Sequence, residues 1–156
     1  VSLDPGGTTG WADYTADMLF VNNEKPEYFN EKFNSGEIGK FGLDHHRELY
    51  NLLSTKLQRN FIIICESFEH RPRMEAAELV SNEYIGVVKY FQQVHRLPVV
   101  WQTKSYGCSF FDDKKLKKLG KHNQTPQGHA NDAMRHLLQY LTHGSLARKD
   151  ILMGLK

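Results

Sequence analysis

Four residues of this sequence, Asp4, Glu66, His129 and Asp132, have types and placements suited to metal-assisted phosphodiester hydrolysis. That chemistry gathers oxygen and imidazole ligands around two ions about 4 Å apart. Mg²⁺ takes one or two carboxylates per ion and keeps several waters, so three acids and a histidine suffice. Asp4 directly precedes the turn-rich run Pro5-Gly6-Gly7-Thr8-Thr9-Gly10, and Glu66 closes the apolar run Phe61-Ile62-Ile63-Ile64-Cys65. His129 stands three residues before Asp132, on one face of a helix. Each has a plainer reading: Asp4 as a turn former, Glu66 as a solvated acid or a cap, Asp132 as an answer to a helix dipole, His129 as a cap or core residue. Their conjunction, in this order, favours a shared site.

The elements needed to bring them together are visible in the residue pattern. Val1-Ser2-Leu3-Asp4 and Trp11-Ala12-Asp13-Tyr14 read as two antiparallel strands around the glycine turn. The strand pattern begins at the first residue, so a few residues are expected upstream. Residues 15–31 read as a long loop or an extended hairpin, and a third strand falls near Glu31–Ile38. Leu43, Tyr50, Leu53 and Leu57, flanked by Leu49 and Leu52, predict an amphipathic helix over 43–57. Phe61–Cys65 is apolar on both alternating faces, as in a strand buried within a parallel sheet. Glu66 then lies at a strand's carboxyl end, where open α/β sheets gather their ligands. Glu75–Val94 reads as a second long helix, Leu97–Trp101 as a short buried strand, Asp112–Leu119 as a lysine-rich helix and His129–His143 as a closing helix with Met134, Leu137, Leu138 and Leu141 on its apolar face. The order βββαβαβαα is an α/β layer architecture. Its 156 residues make one domain, 1–156.

Composition narrows the partners. Twenty Lys and Arg against eighteen Asp and Glu give a net charge of only +2, which argues against indiscriminate coating of nucleic acid. The charge is uneven: residues 1–60 carry −3, 61–100 carry −1 and 101–156 carry +6, with Lys114, Lys115, Lys117, Lys118 and Lys121 crowded together. Such a cluster is either a phosphate footprint or a solvated helix face. Cys65 and Cys108 form no C-x-x-C pair, excluding a zinc-finger framework and a disulfide-stapled scaffold. The longest purely apolar run is five residues, far short of a membrane span, and no signal-peptide pattern is visible in the first residues. A soluble protein of a reducing compartment is expected.

Three segments carry a family resemblance. Leu3-Asp4-Pro5-Gly6-Gly7-Thr8-Thr9-Gly10-Trp11-Ala12 resembles the first active-site motif of the RuvC-type Holliday-junction resolvases. Ile62-Ile63-Ile64-Cys65-Glu66 resembles their apolar strand ending in glutamate. His129-Ala130-Asn131-Asp132-Ala133-Met134-Arg135-His136 resembles their closing helix motif, in which an acid or histidine precedes an aspartate by three residues. The resemblance is nearest to the short RuvC-like proteins of bacteriophages. It implies a ribonuclease-H-like fold, a mixed five-stranded sheet flanked by helices. It also implies a homodimer that nicks branched DNA with two Mg²⁺ ions, or Mn²⁺ in their place, in the cytoplasm of a bacterial or phage-infected cell. Asp4, Glu66 and Asp132 would then be metal-ligating carboxylates, and His129 would complete the catalytic set in place of the more frequent aspartate. Water attack would leave a 5′ phosphate. Lys104 matches a basic position near the scissile strand, and Glu69 offers an alternative acid. Arg71, Arg73, Lys114, Lys115, Lys117 and Lys118 would hold DNA phosphates without reading bases.

Two other readings compete. The glycine turn also resembles the phosphate loop of actin-like ATPases and sugar kinases, but that fold needs two such domains, which this length does not supply. A DNA-binding or scaffolding protein of the same fold would have lost an acid, and all four positions are filled. Within nucleases, flaps, replication forks and RNA–DNA hybrids stand as alternative substrates. Trp11, Trp101, Cys65, Phe110 and Phe111 are expected to pack. Of His129, His136 and His143, which recur every seven residues, only His129 has an evident acid partner.

Overall fold

Ile63, Ile64 and Cys65 alternate across one strand, and the structure buries both faces of it. Ile63 and Cys65 join a core with Leu3, Leu49, Leu53, Tyr84, Val88 and Phe91. Ile64 points the other way, into a second core with Ala12, Phe111, Leu116, Met134, Leu137, Leu138 and Leu141. The structure is a computed structural model describing residues 1–19, 27–39, 43–57, 61–68, 76–125, 127–144 and 147–155. Its elements are β1 (Ser2–Asp4), β2 (Thr9–Leu19), β3 (Glu27–Ile38), α1 (Leu43–Ser54), β4 (Ile63–Ser67), α2 (Ala76–His95), β5 (Val99–Thr103), α3 (Lys104–Cys108), α4 (Asp113–Lys118), α5 (His129–His143) and α6 (Lys149–Met153).

The five strands form one mixed sheet in the order β3-β2-β1-β4-β5. β1, β2 and β3 pair antiparallel, whereas β4 pairs parallel with both β1 and β5. α1 and α2 supply core residues on one face, α4 and α5 on the other. No described helix is long and apolar enough to cross a membrane.

Several boundaries differ from those read in the sequence. Of residues 15–31, 15–19 extend β2 and 27–31 open β3, paired antiparallel, while 20–26 lie outside the described residues. β4 occupies Ile63–Ser67 rather than 61–65, because its ladder with β5 continues through Glu66↔Gln102 and Ser67↔Thr103. Glu66 is the second-last residue of the strand, at its carboxyl end. β5 begins at Val99, since Pro98 has no N–H to give a ladder; its carbonyl instead accepts from Ile63 N at 3.1 Å. Two short helices were not expected. α3 starts where Thr103 accepts the amide of Tyr106 as an N-cap, and α6 follows Arg148.

Arg148 is 4% exposed and fastens the C-terminal segment to the β2–β3 strand pair. It donates to Glu31 at 2.6 Å and to Asp150 at 2.8 Å, and it also bonds the Tyr14 hydroxyl. Its guanidinium lies 4.0 Å from the Tyr28 ring centre. A buried guanidinium is tolerated only with partners of this number and geometry. Arg148→Ala should lower the unfolding free energy by about 2 kcal/mol, less than for a fully buried pair because Glu31 and Asp150 keep contact with water. Chemical denaturation checks this, and an unchanged midpoint would contradict the clamp.

Candidate metal centre

Because β1, β4 and β5 run parallel, their carboxyl ends share one edge of the sheet. Leu3 pairs with Cys65, and Glu66 pairs with Gln102, so Asp4, Glu66 and Gln102 stand level across three adjacent strands. Alternation along β4 puts Glu66 on the same face as Ile64, the face covered by α5. On α5, His129, Asp132 and His136 are three and four residues apart, one stripe of the helix. The helix lays that stripe over the row of strand ends while Met134, Leu137, Leu138 and Leu141 seal the sheet behind it.

Three of the four expected residues converge. One ligand atom each from Asp4, His129 and Asp132 lies within 4.8 Å of the others. His129 Nδ1 hydrogen-bonds Asp4 Oδ2 at 2.8 Å. Asp132 accepts from Arg135, which also grips Asp113 at the start of α4. Glu66 is not within that trio. Its Oε2 accepts from His136 Nε2 at 3.0 Å, and His136 Nδ1 meets Gln102 Oε1 at 2.8 Å. His136 is wholly buried, so the expectation that only His129 has an acid partner is corrected. The pairing depends on the register of three strands, although the spacing of His136 from Asp132 and His129 was a signal available in the sequence.

Close backbone approach makes the arrangement possible. A Cβ on Gly10 would lie 1.9 Å from the carbonyl oxygen of His129, and one on Gly107 would lie 1.9 Å from His136 Nδ1. Only glycine lets β2 meet the first turn of α5 and lets α3 lie against the His136 ring. Glu37 accepts the amide of Ala130 at 3.4 Å, a side chain answering the positive end of α5. Asn131 exchanges two hydrogen bonds with the backbone of Asn123, whose amide reaches Ser35 on β3. The turn after Asp4 is held from below: Thr9 Oγ1 lies 2.9 Å from Nε2 of buried His45, whose ring stacks on Tyr84. Burial pushes the His45 pKa down, keeping the ring neutral.

The electrostatics are those of concentrated negative charge out of water. Burial, aided by the charges of Glu66 and Asp132, pushes the Asp4 carboxyl up to about 6, against the opposing hydrogen bond from His129. The same hydrogen bond raises His129 above its ordinary value. Two carboxylate oxygens and an imidazole nitrogen are a donor set for a divalent cation, whose charge would favour the ionised form of Asp4 that burial and its neighbours disfavour.

The basic residues are dispersed. Lys104 is exposed at the end of β5, on the edge that carries the acids. Lys114 and Lys117 are exposed on α4. Lys115 bonds the carbonyl of Phe110 at 2.5 Å and lies over its ring, Lys118 bonds the carbonyl of Leu155 at 2.7 Å, and Lys121 stacks 4.1 Å from Phe33. Phe111 is fully buried, whereas Phe110 is 36% exposed. Arg71, Arg73 and Glu69 lie outside the described residues.

No family model matches the sequence, and no curated protein matches it. Among solved structures, T. thermophilus RuvC in complex with a Holliday junction substrate aligns with a TM-score of 0.52 at 12% identity, covering 92% of this chain and 95% of that one. A further structure of Thermus thermophilus RuvC gives 0.49 at 13% identity with the same coverage. The mixed five-stranded sheet with its flanking helices is thus a ribonuclease-H-like fold, as the sequence motifs implied.

The Asp4–His129 hydrogen bond yields a direct test without any metal. In Asp4→Asn the carboxylate whose hydrogen bond and charge raise His129 is gone while burial, which lowers it, remains. The imidazole of His129 should then titrate at lower pH than in the parent, read by NMR of the ring protons. An unchanged titration would show that the two side chains do not meet.

Proposed function

We propose that this protein is a metal-dependent endonuclease that cuts branched DNA, with Asp4, Glu66, His129 and Asp132 as its metal-binding and catalytic residues. The observation that carries the reading is the convergence of Asp4, His129 and Asp132 ligand atoms within 4.8 Å at the strand ends of a ribonuclease-H-like sheet. The T. thermophilus RuvC of matching fold is bound to a Holliday junction substrate, which supports the choice of a branched substrate. Two Mg²⁺ ions, or Mn²⁺ in their place, would supply a Lewis acid for water activation and for the departing 3′ oxygen, leaving a 5′ phosphate.

The chain's own residues set the conditions. For Nδ1 of His129 to act as a ligand, the proton it shares with Asp4 would have to move to Nε2 or, from the imidazolium, be released. With Asp4 near 6 and His129 raised, protons compete with the cation more strongly as pH falls, and affinity should drop as pH passes down through about 6. Asp132 is held in place by Arg135, whose positive charge beside the acids limits their mutual repulsion. Lys104, Lys114 and Lys117 would grip the phosphate backbone, making binding strongly salt-dependent. One site cuts one strand, so symmetric resolution of a junction calls for a C2 homodimer presenting two sites about a shared axis.

Asp4→Asn, Glu66→Gln and Asp132→Asn should each abolish Mg²⁺-dependent nicking while leaving junction binding near the parent's level. The parent should nick four-way junctions well above linear duplex and sediment as a dimer. A monomer cutting junction and duplex equally would remove the resolvase reading but keep the nuclease. A parent that binds DNA and cuts nothing at any metal concentration would favour the scaffolding alternative.

A further inference from the structure

Glu66 differs from the other acids in how it is held. Its side chain has one more rotatable bond than an aspartate, so an unrestrained carboxylate here would sample several orientations. The structure restrains it through a buried chain of three residues on three elements. Glu66 on β4 accepts from His136 on α5, and His136 meets Gln102 on β5, the residue paired with Glu66 in the ladder. The His136 ring is 0% exposed and lies against Gly107, leaving no room for a Cβ. With the Gln102 amide nitrogen turned to Nδ1, a neutral ring keeps its Nε2 proton for Glu66 to accept; with the Gln102 oxygen there, Nε2 donates to Glu66 only when both ring nitrogens carry protons. With Oε2 occupied, Oε1 takes no hydrogen bond among the described residues, and Glu66 is near enough to Asp4 for its charge to be felt there.

We infer that His136, fixed by Gln102, is a positioning residue that holds Glu66 so that it offers a single oxygen to a divalent cation beside Asp4. The inference rests on the metal-dependent reading above and adds the residue that orients its third carboxylate. Hydrogen-bonded partners of ligands commonly matter nearly as much as the ligands, and their loss weakens metal affinity about 10- to 100-fold. His136 itself touches neither cation nor substrate.

The test is Mn²⁺ binding by isothermal titration calorimetry on the full chain without DNA, comparing the parent, Asp4→Asn, His136→Leu and His136→Gln. Leucine fills the buried space without a donor, whereas glutamine retains an N–H for Glu66. His136→Leu should bind Mn²⁺ about 10- to 100-fold more weakly, and His136→Gln should stay within a few-fold of the parent. A plain packing role would affect both variants alike, so equal affinities for the two would overturn the inference. Gln102→Leu frees the ring without altering it and should weaken binding in the same direction; if neither His136 variant folds, parent-like affinity in Gln102→Leu is the overturning result. Parent binding lost in Asp4→Asn but equal across the His136 variants defeats this inference alone. A parent that binds no Mn²⁺ defeats the metal-dependent reading and this inference together.

Discussion

The parallel register of β1, β4 and β5 is the constraint on which the rest depends. Leu3↔Cys65 and Glu66↔Gln102 align three strand ends, and everything at the site follows from what stands in that row. Slipping β4 by one residue would turn Glu66 to the α1–α2 face and Cys65 toward α5. The burial of Ile63 and Cys65 on one side and Ile64 on the other makes such a slip costly, so the hydrophobic pattern of β4 fixes where its acid points.

α5 answers this row with a complementary series. His129 bonds Asp4, Arg135 bonds Asp132 and His136 bonds Glu66, so each acid has its own donor on a single helix. Acids this close and this buried repel one another and lose hydration, as the raised Asp4 pKa records. Unpaired, they would be expensive to bury. The donors let the fold assemble around a charge cluster, and they differ in what they allow afterwards. The Asp4–His129 bond can yield to a cation, with the imidazole part-exposed, whereas His136 is sealed in and can only orient its partner.

The acids were legible because each belongs to a local signal: a glycine turn after Asp4, an apolar run before Glu66, an amphipathic helix beginning at His129. The two-sided burial of β4 and the apolar face of α5 were legible for the same reason, since both are periodicities within one element. The role of His136 was not, because it is set by residues 70 and 34 positions away in sequence. The Arg148 clamp likewise joins groups up to 134 positions apart. α3 escaped because it has five residues including Gly107, whose lack of a side chain reads as a break but serves to admit the His136 ring. The lysine cluster read as one patch; in the structure Lys115, Lys118 and Lys121 are occupied by backbone carbonyls and an aromatic ring, leaving a sparser basic surface.

The central claim is that the row of strand ends and the stripe of α5 together make a cation site. Anomalous diffraction from crystals grown with Mn²⁺ above pH 7 tests it most directly. The account predicts a manganese peak bounded by Asp4, His129 and Asp132, with the Asp4–His129 hydrogen bond broken and one oxygen of Glu66 turned toward the metal. An intact Asp4–His129 hydrogen bond at saturating Mn²⁺, with no peak between these residues, would contradict it.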